Sequence, residues 1–186
     1  MIRTELYTTE EELIAGLRDI NTRELAFSLL VDRFQQRVYW HLRKMLIDPD
    51  ETADATQNTF ILVWQHIDTF REESKLFTWI YRIATNEGLA ALRKIKKRNL
   101  VRFEDAGEIL NERLEQPGSF NGNEIEKKLF KALVRLPEKQ KLVFQMKYFD
   151  DMKYEEISEV LGTSVGALKA SYHHAVKKLE KFILLP

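Results

Sequence analysis

Apolar residues recur at steps of three and four through most of this chain. Phe27, Leu30, Val31, Phe34, Val38, Leu42 and Met45 follow the i, i+3, i+4, i+7 rule of an amphipathic helix. That helix should stop near Asp48-Pro49, because the residue before a proline disfavours the helical region. A second helix is expected over about Glu51 to His66, with Phe60, Val63, Trp64 and Ile67 on its buried side. After the polar loop DTFREESK, a third should run from about Leu76 into a basic stretch near Lys97. Asn99 to Asn123 breaks the pattern with acids, Pro117-Gly118 and the turn-rich SFNGN; it reads as a linker, with a short helix at about Glu108 to Leu114. Helices then follow at about Glu124 to Arg135, Glu138 to Phe149, Tyr154 to Leu161 and Val165 to Phe182. No alternating strand pattern persists. The expected fold class is all-α: two small helical domains, residues 1–98 and 124–186, joined by a flexible acidic linker, 99–123.

The run YEEISEVLGTSVGALKASYHHAVKKL has the layout of a helix-turn-helix. Ile157, Val160 and Leu161 give its first helix an apolar face, Gly162 supplies the turn, and Ser164 is a good N-cap for the second helix. Val165, Leu168, Tyr172, Ala175 and Leu179 form the inward stripe, leaving Lys169, Ala170, His173, His174, Lys177 and Lys178 outside. A helix of this kind lays its N-terminal half in the DNA major groove. The adjacent histidines lie about 100° apart around the helix and do not converge on one ion, and His41 and His66 are isolated elsewhere in the sequence. Groove-facing donors beside lysines is the better reading, with solvated helix residues as its plain alternative. It predicts DNA binding that weakens as the imidazoles lose their protons with rising pH.

Composition narrows the field. The 186 residues are 44% hydrophobic and 31% charged, which suits a globular chain. Cysteine is absent, which excludes disulfides, thiolate zinc sites and cysteine nucleophiles, and suits a reducing compartment. The start of the chain has no signal layout, and no apolar run approaches the ~18 residues of a membrane span, so a cytoplasmic protein without membrane insertion is expected. The net charge is zero, but it is segregated. Ala91 to Arg102 holds six basic residues and no acid, while Phe103 to Glu126 holds seven acids and one base. Signed blocks of this kind suit several charged surfaces with different partners, or plain solvated helix faces. No glycine-rich phosphate loop, catalytic constellation or metal set occurs, so no enzyme, cofactor or small-molecule substrate is expected.

The stretch from Thr52 to Arg98, TADATQNTFILVWQHIDTFREESKLFTWIYRIATNEGLAALRKIKKR, closely resembles region 2 of the extracytoplasmic-function class of bacterial sigma factors. The run from LPEKQKLVFQMKYFDDMKYEEI to HHAVKKL resembles region 4 of the same class. The two matches stand in the family's order, and together they cover roughly 100 residues. The resemblance implies an alternative sigma factor that binds core RNA polymerase and promoter DNA, catalysing nothing itself. In many relatives an anti-sigma factor clamps both domains, which makes it a further implied partner. A free-standing repressor would not need the TWIYRIA run and its loop. A helical adaptor that binds only protein is the rival of another class.

The residues fit the roles implied. Asp54, Gln57, Asn58, Ile61 and Gln65 form a mostly polar stripe at helical spacing, where the family docks on the clamp helices of the polymerase. Asn58 stands where the family carries an acid. The DTFREESK loop and the helix after it resemble the promoter-opening element, which must capture unstacked bases, each worth ~1–3 kcal/mol on an aromatic platform. Phe70, Ser74, Lys75, Thr78 and Trp79 are the candidates there, Phe70 and Phe77 being expected to pack more than to stack. Arg82, Asn86 and Arg93 recur on one face of that helix, and Lys96 and Lys97 extend it as a phosphate-binding patch. For the upstream element the candidates are Ser164, Lys169, Ala170, His173, His174 and Lys177. Ser171, His174 and Val176 replace positions that relatives often fill with arginine, so this reading helix should lean on the polymerase for affinity.

Overall fold

A computed structural model describes residues 7–100 and 124–184, apart from the side chains of Lys96, Asn99, Leu100, residues 124–127 and Phe130. The linker 101–123, with the short helix expected at Glu108 to Leu114, lies outside the described residues. Helices α1 Glu10–Arg18, α2 Arg23–Leu46, α3 Pro49–His66 and α4 Leu76–Leu100 make the first piece, with a 3-10 turn at Ile67–Thr69. Helices α5 Glu124–Val134, α6 Glu138–Tyr148, α7 Tyr154–Leu161 and α8 Val165–Leu184 make the second. No strand occurs among the described residues.

Local chemistry sets the boundaries. Pro49 ends one helix and begins the next: Asp48 caps α3 by accepting from the Asp50 and Glu51 amides at 3.0 and 2.9 Å, and Pro49 fills the first turn, where no N–H is needed. Helix α4 continues through Asn99 and Leu100, beyond its expected end. Helix α1 was not expected at all. It starts at a capping box in which the Glu12 amide donates to Thr9 Oγ1 (3.2 Å) and the Thr9 amide to Glu12 Oε2 (3.1 Å).

The first core is built where α2, α3 and α4 face one another. Leu30, Val38 and Leu42 of α2, Val63 of α3 and Ile80, Tyr81 and Ala84 of α4 are all buried there. Buried Thr59 is satisfied within its own helix, donating to the Ala55 carbonyl oxygen at 2.7 Å. Gly88 lets α4 approach α2 closely, since a Cβ there would sit 2.6 Å from Met45 Cε and 2.9 Å from Leu42 Cδ2. In the second piece Ala132, Leu133, Leu136, Phe144, Ala175 and Leu179 form a smaller cluster.

The two pieces are docked. Leu142, Val143, Met146, Met152, Ile157, Val160 and Leu168 of the second piece belong to the same hydrophobic cluster as the first core. Each such side chain, once fully buried, is worth ~1.5–3 kcal/mol, so apolar burial dominates the seam. Polar contacts set its register. Gln145 Nε2 and Lys141 Nζ of α6 donate to the Lys44 and Met45 carbonyl oxygens at the end of α2 (2.7 and 3.3 Å), satisfying acceptors that a helix end leaves open. His41 is not isolated, as its sequence position suggested. It is fully buried in the seam, between Asp150 and Thr85.

Candidate nucleic-acid interface

At the head of α4 the chain forms a cleft of about 420 Å³, lined by Thr69, Phe70, Arg71, Glu73, Ser74, Thr78, Trp79, Arg82 and Glu159. Five of these are expected promoter-opening residues: Phe70, Ser74, Thr78, Trp79 and Arg82. Phe70 and Trp79 are largely buried, with ring centroids 5.3 Å apart, so they form the floor rather than free stacking platforms. Thr78 is only 2% exposed, and its Oγ1 has no hydrogen-bond partner among the described residues. An unpaired buried hydroxyl costs ~1–3 kcal/mol. Lys75 does not line the cleft; it is exposed, its Nζ 2.9 Å from Glu156 Oε1 of α7. Burial pushes the Glu156 carboxyl up most, but the hydrogen bonds from Lys75 and the Lys153 amide, together with the charges of both lysines, outweigh this and hold it below its usual range; Lys75 is held above its own by its hydrogen bond to Glu156 and the charge of that group. Beyond the cleft Arg82, Asn86, Arg93 and Lys97 are exposed along one face of α4; the Lys96 side chain lies outside the described residues.

The loop that frames the cleft is held by α1. Arg18 donates to the Phe70 carbonyl oxygen (2.9 Å) and pairs with Glu72 (2.6 Å), while Glu10 Oε1 accepts from the Leu76 amide (2.7 Å) and so caps α4 from outside. Arg23 secures the preceding turn, pairing with Asp68 at 3.0 Å and donating to the Trp64 carbonyl oxygen at 3.2 Å. Sequence reasoning missed Glu10, Arg18, Arg71 and Glu159. The capping box at Thr9 to Glu12 was the signal for α1; nothing local signalled Glu159, which reaches the cleft from the second piece.

Asp54, Gln57, Asn58, Ile61 and Gln65 are all exposed on α3 and share one stripe, with Ile61 at 45%. Gln57 and Ile61 also line an apolar groove of about 540 Å³ whose other wall is Phe27, Val31, Gln35 and Tyr39 of α2. That wall was not foreseen, because spacing within one helix does not tell which helix lies beside it.

In the second piece Gly162 adopts φ 60°, the left-handed conformation that turns α7 into α8. Ser164 sits at the start of α8, its Oγ accepting from the Ala167 amide at 3.4 Å. Lys169, Ala170, His173, His174 and Lys177 are exposed on one side, and Leu168, Ala175 and Leu179 are buried on the other. The His173 and His174 ring centroids lie 6.1 Å apart, and no group of three or more potential metal ligands occurs among the described residues. Nor, among them, is any helix long and apolar enough to cross a membrane.

Residues 30–98 match the family model for sigma-70 region 2, and residues 126–179 match that for sigma-70 region 4. The ECF RNA polymerase sigma factor SigW of Bacillus subtilis is 30% identical over 164 residues, covering 84% of this chain and 88% of that protein. The ECF RNA polymerase sigma-E factor of Haemophilus influenzae is 29% identical, covering 85% and 87%. Two solved structures share the fold. The sigma factor RpoE of Bartonella quintana, in complex with the anti-sigma factor NepR, has a TM-score of 0.67 at 19% identity, covering 86% of this chain and 97% of that one. CnrH, in complex with the cytosolic domain of CnrY, has a TM-score of 0.65 at 23% identity, covering 92% and 95%. Two helical pieces in this order, the second carrying a helix-turn-helix, together with these matches, place the chain among the ECF RNA polymerase sigma factors.

Proposed function

We propose that residues 1–98 of this sigma factor grip core RNA polymerase and open the downstream promoter element, while residues 124–186 read the upstream element. The polymerase meets the exposed stripe of Asp54, Gln57, Asn58, Ile61 and Gln65, with Ile61 and the groove beside it supplying the apolar part of the contact. Lys169, Ala170, His173, His174 and Lys177 face the major groove, with Ser164 at the phosphate end of the helix. The observation that carries the reading is the cleft, where an unpaired Thr78 hydroxyl lies beside Arg71 and Arg82. An unstacked base of the non-template strand would find a hydrogen-bonding partner there, and its phosphates would continue along Asn86, Arg93, Lys96 and Lys97. The chemistry of RNA synthesis belongs to the polymerase, and the chain acts where the polymerase does, in the cytoplasm. We extend the partner set to an anti-sigma factor, as in the complex of RpoE with NepR.

Run-off transcription tests this reading. Purified protein mixed with core polymerase lacking its own sigma factor, on fragmented genomic DNA, should give discrete start sites that depend on the protein. Absence of transcripts together with absence of co-elution with core would overturn it. Ile61→Glu, an exposed change, should leave the fold intact and abolish co-elution.

A further inference from the structure

The loop that leads into α4 is clipped at both ends to a single helix. Arg18, in the last turn of α1, uses its guanidinium as a fork: Nη2 donates to the Phe70 carbonyl oxygen at 2.9 Å, and Nη1 pairs with Glu72 at 2.6 Å. Glu10, in the first turn of the same helix, accepts from the Leu76 amide at 2.7 Å. The two anchors stand about 12 Å apart along α1. Leu13 and Leu17, between them, are fully buried, so α1 is seated in the core and acts as a fixed rail for the loop.

Between the anchors Glu72 takes φ 60°, the left-handed region that a side chain other than glycine rarely adopts. Its carboxylate reaches α1, while Arg71 and Glu73 on either side of it line the cleft. A guanidinium and a carboxylate therefore stand together there, one donating and one accepting, beside the Thr78 hydroxyl. Donors and acceptors at fixed places are what tell one base edge from another; on a loose loop the same groups would meet any base. Arg18 itself is not among the residues that line the cleft. The Arg18 and Glu72 side chains are each 46% exposed, and an ion pair so wetted adds little to global stability. Its effect is local, on the shape of the loop.

We propose that Arg18 is a positioning residue for base selectivity. By holding Glu72 in the left-handed conformation and Phe70 by its carbonyl, it fixes where Arg71 and Glu73 meet the captured base. Selectivity at that base is thus set in part from α1, a helix that touches no DNA. The inference rests on the base-capture role proposed above for the cleft.

The test uses holoenzyme assembled from core polymerase and the full chain. It is bound to forked promoter DNA whose non-template strand carries each of the four bases in turn at every melted position. The unmodified chain should discriminate strongly at one position. Arg18→Ala should weaken binding of the preferred base there about tenfold and leave the other three within about twofold, so that selectivity collapses. The slope of log affinity against log salt should not change, because no phosphate contact is removed. Arg18→Lys keeps the charge but loses the fork, and should retain only part of the selectivity. Glu72→Gly added to Arg18→Ala should restore most of it, since glycine takes the left-handed conformation without being held. A loss spread evenly over all four bases, the mark of a merely structural role, would overturn the proposal, and so would unchanged selectivity. Should Arg18→Ala fail to fold, the exposed change Glu72→Gln, which breaks the ion pair alone, decides; it should cost about threefold in selectivity. An unmodified chain that discriminates at no position would overturn the base-capture reading and this inference with it. A selective chain whose variants are equally selective sinks the inference alone.

Discussion

Single residues here carry opposite kinds of polar burden. Thr78 Oγ1 is buried without a partner, so Thr78→Val removes an unpaired hydroxyl. We expect stability to hold or rise by up to ~1 kcal/mol, while strand opening falls; thermal melting and permanganate footprinting of the promoter bubble read the two effects. Asp150 is the reverse, a buried carboxylate fully engaged. Burial alone would raise its carboxyl, but His41, by hydrogen bond and charge, and then Lys44 outweigh this and hold it below the usual range. Tyr81 faces the same group and is pushed above its ordinary range by burial first and then by the Asp150 charge. The sign follows from the depressed carboxyl. The stabilisation by Asp150 is complete above the ordinary value of 3.8 and is lost as pH falls through the lower folded value. Asp150→Asn should therefore flatten the steepest acid limb of a stability curve below about pH 4, measured by urea unfolding. Neither burden was legible in the sequence. Thr78 was singled out by resemblance, and the His41 and Asp150 pairing spans 109 residues with no local signature.

Among the elements, α1 shows how a short helix can govern a loop it does not adjoin in sequence. Its three buried apolar side chains, Leu13, Ile14 and Leu17, span barely more than one turn, too little for a periodic signal, whereas Thr9-x-x-Glu12 was there to be found. Thr9→Ala should cost about 1 kcal/mol. The effect should extend beyond α1. Because Glu10 and Arg18 hold Leu76 and Phe70, hydrogen exchange should quicken at residues 70–76 before it does in α3. The long helices were legible because their stripes persist over many turns. Tyr154–Leu161 falls where the spacing put it, the helix before Pro49 stops close to that residue as expected, and the next begins at Pro49, two residues ahead of its expected start at Glu51. The groove walled by Phe27, Val31 and Tyr39 was not legible, since it depends on which helix lies beside α3.

For the whole molecule, charge segregation reads as a map of surfaces rather than as a net value. Arg82, Arg93 and Lys97 lie exposed along one flank of α4, so phosphate contacts there should dominate the salt dependence of DNA binding. Arg93→Ala and Lys97→Ala should each lower the slope of log affinity against log salt by about 1, measured by anisotropy on one promoter with the polymerase present. The sequence yielded both pieces and their order. It left their docking open, because seam residues such as Leu142 and Met146 look like ordinary core positions of a separate domain. The external cap that Glu10 places on the first amide of α4 has a consequence for the route proposed for DNA. A helix N-terminus ordinarily welcomes a phosphate, but here that end already holds a carboxylate. On the function proposed above, an incoming backbone would be turned away from the tip of the helix and led along its side, past Arg82, Asn86 and Arg93.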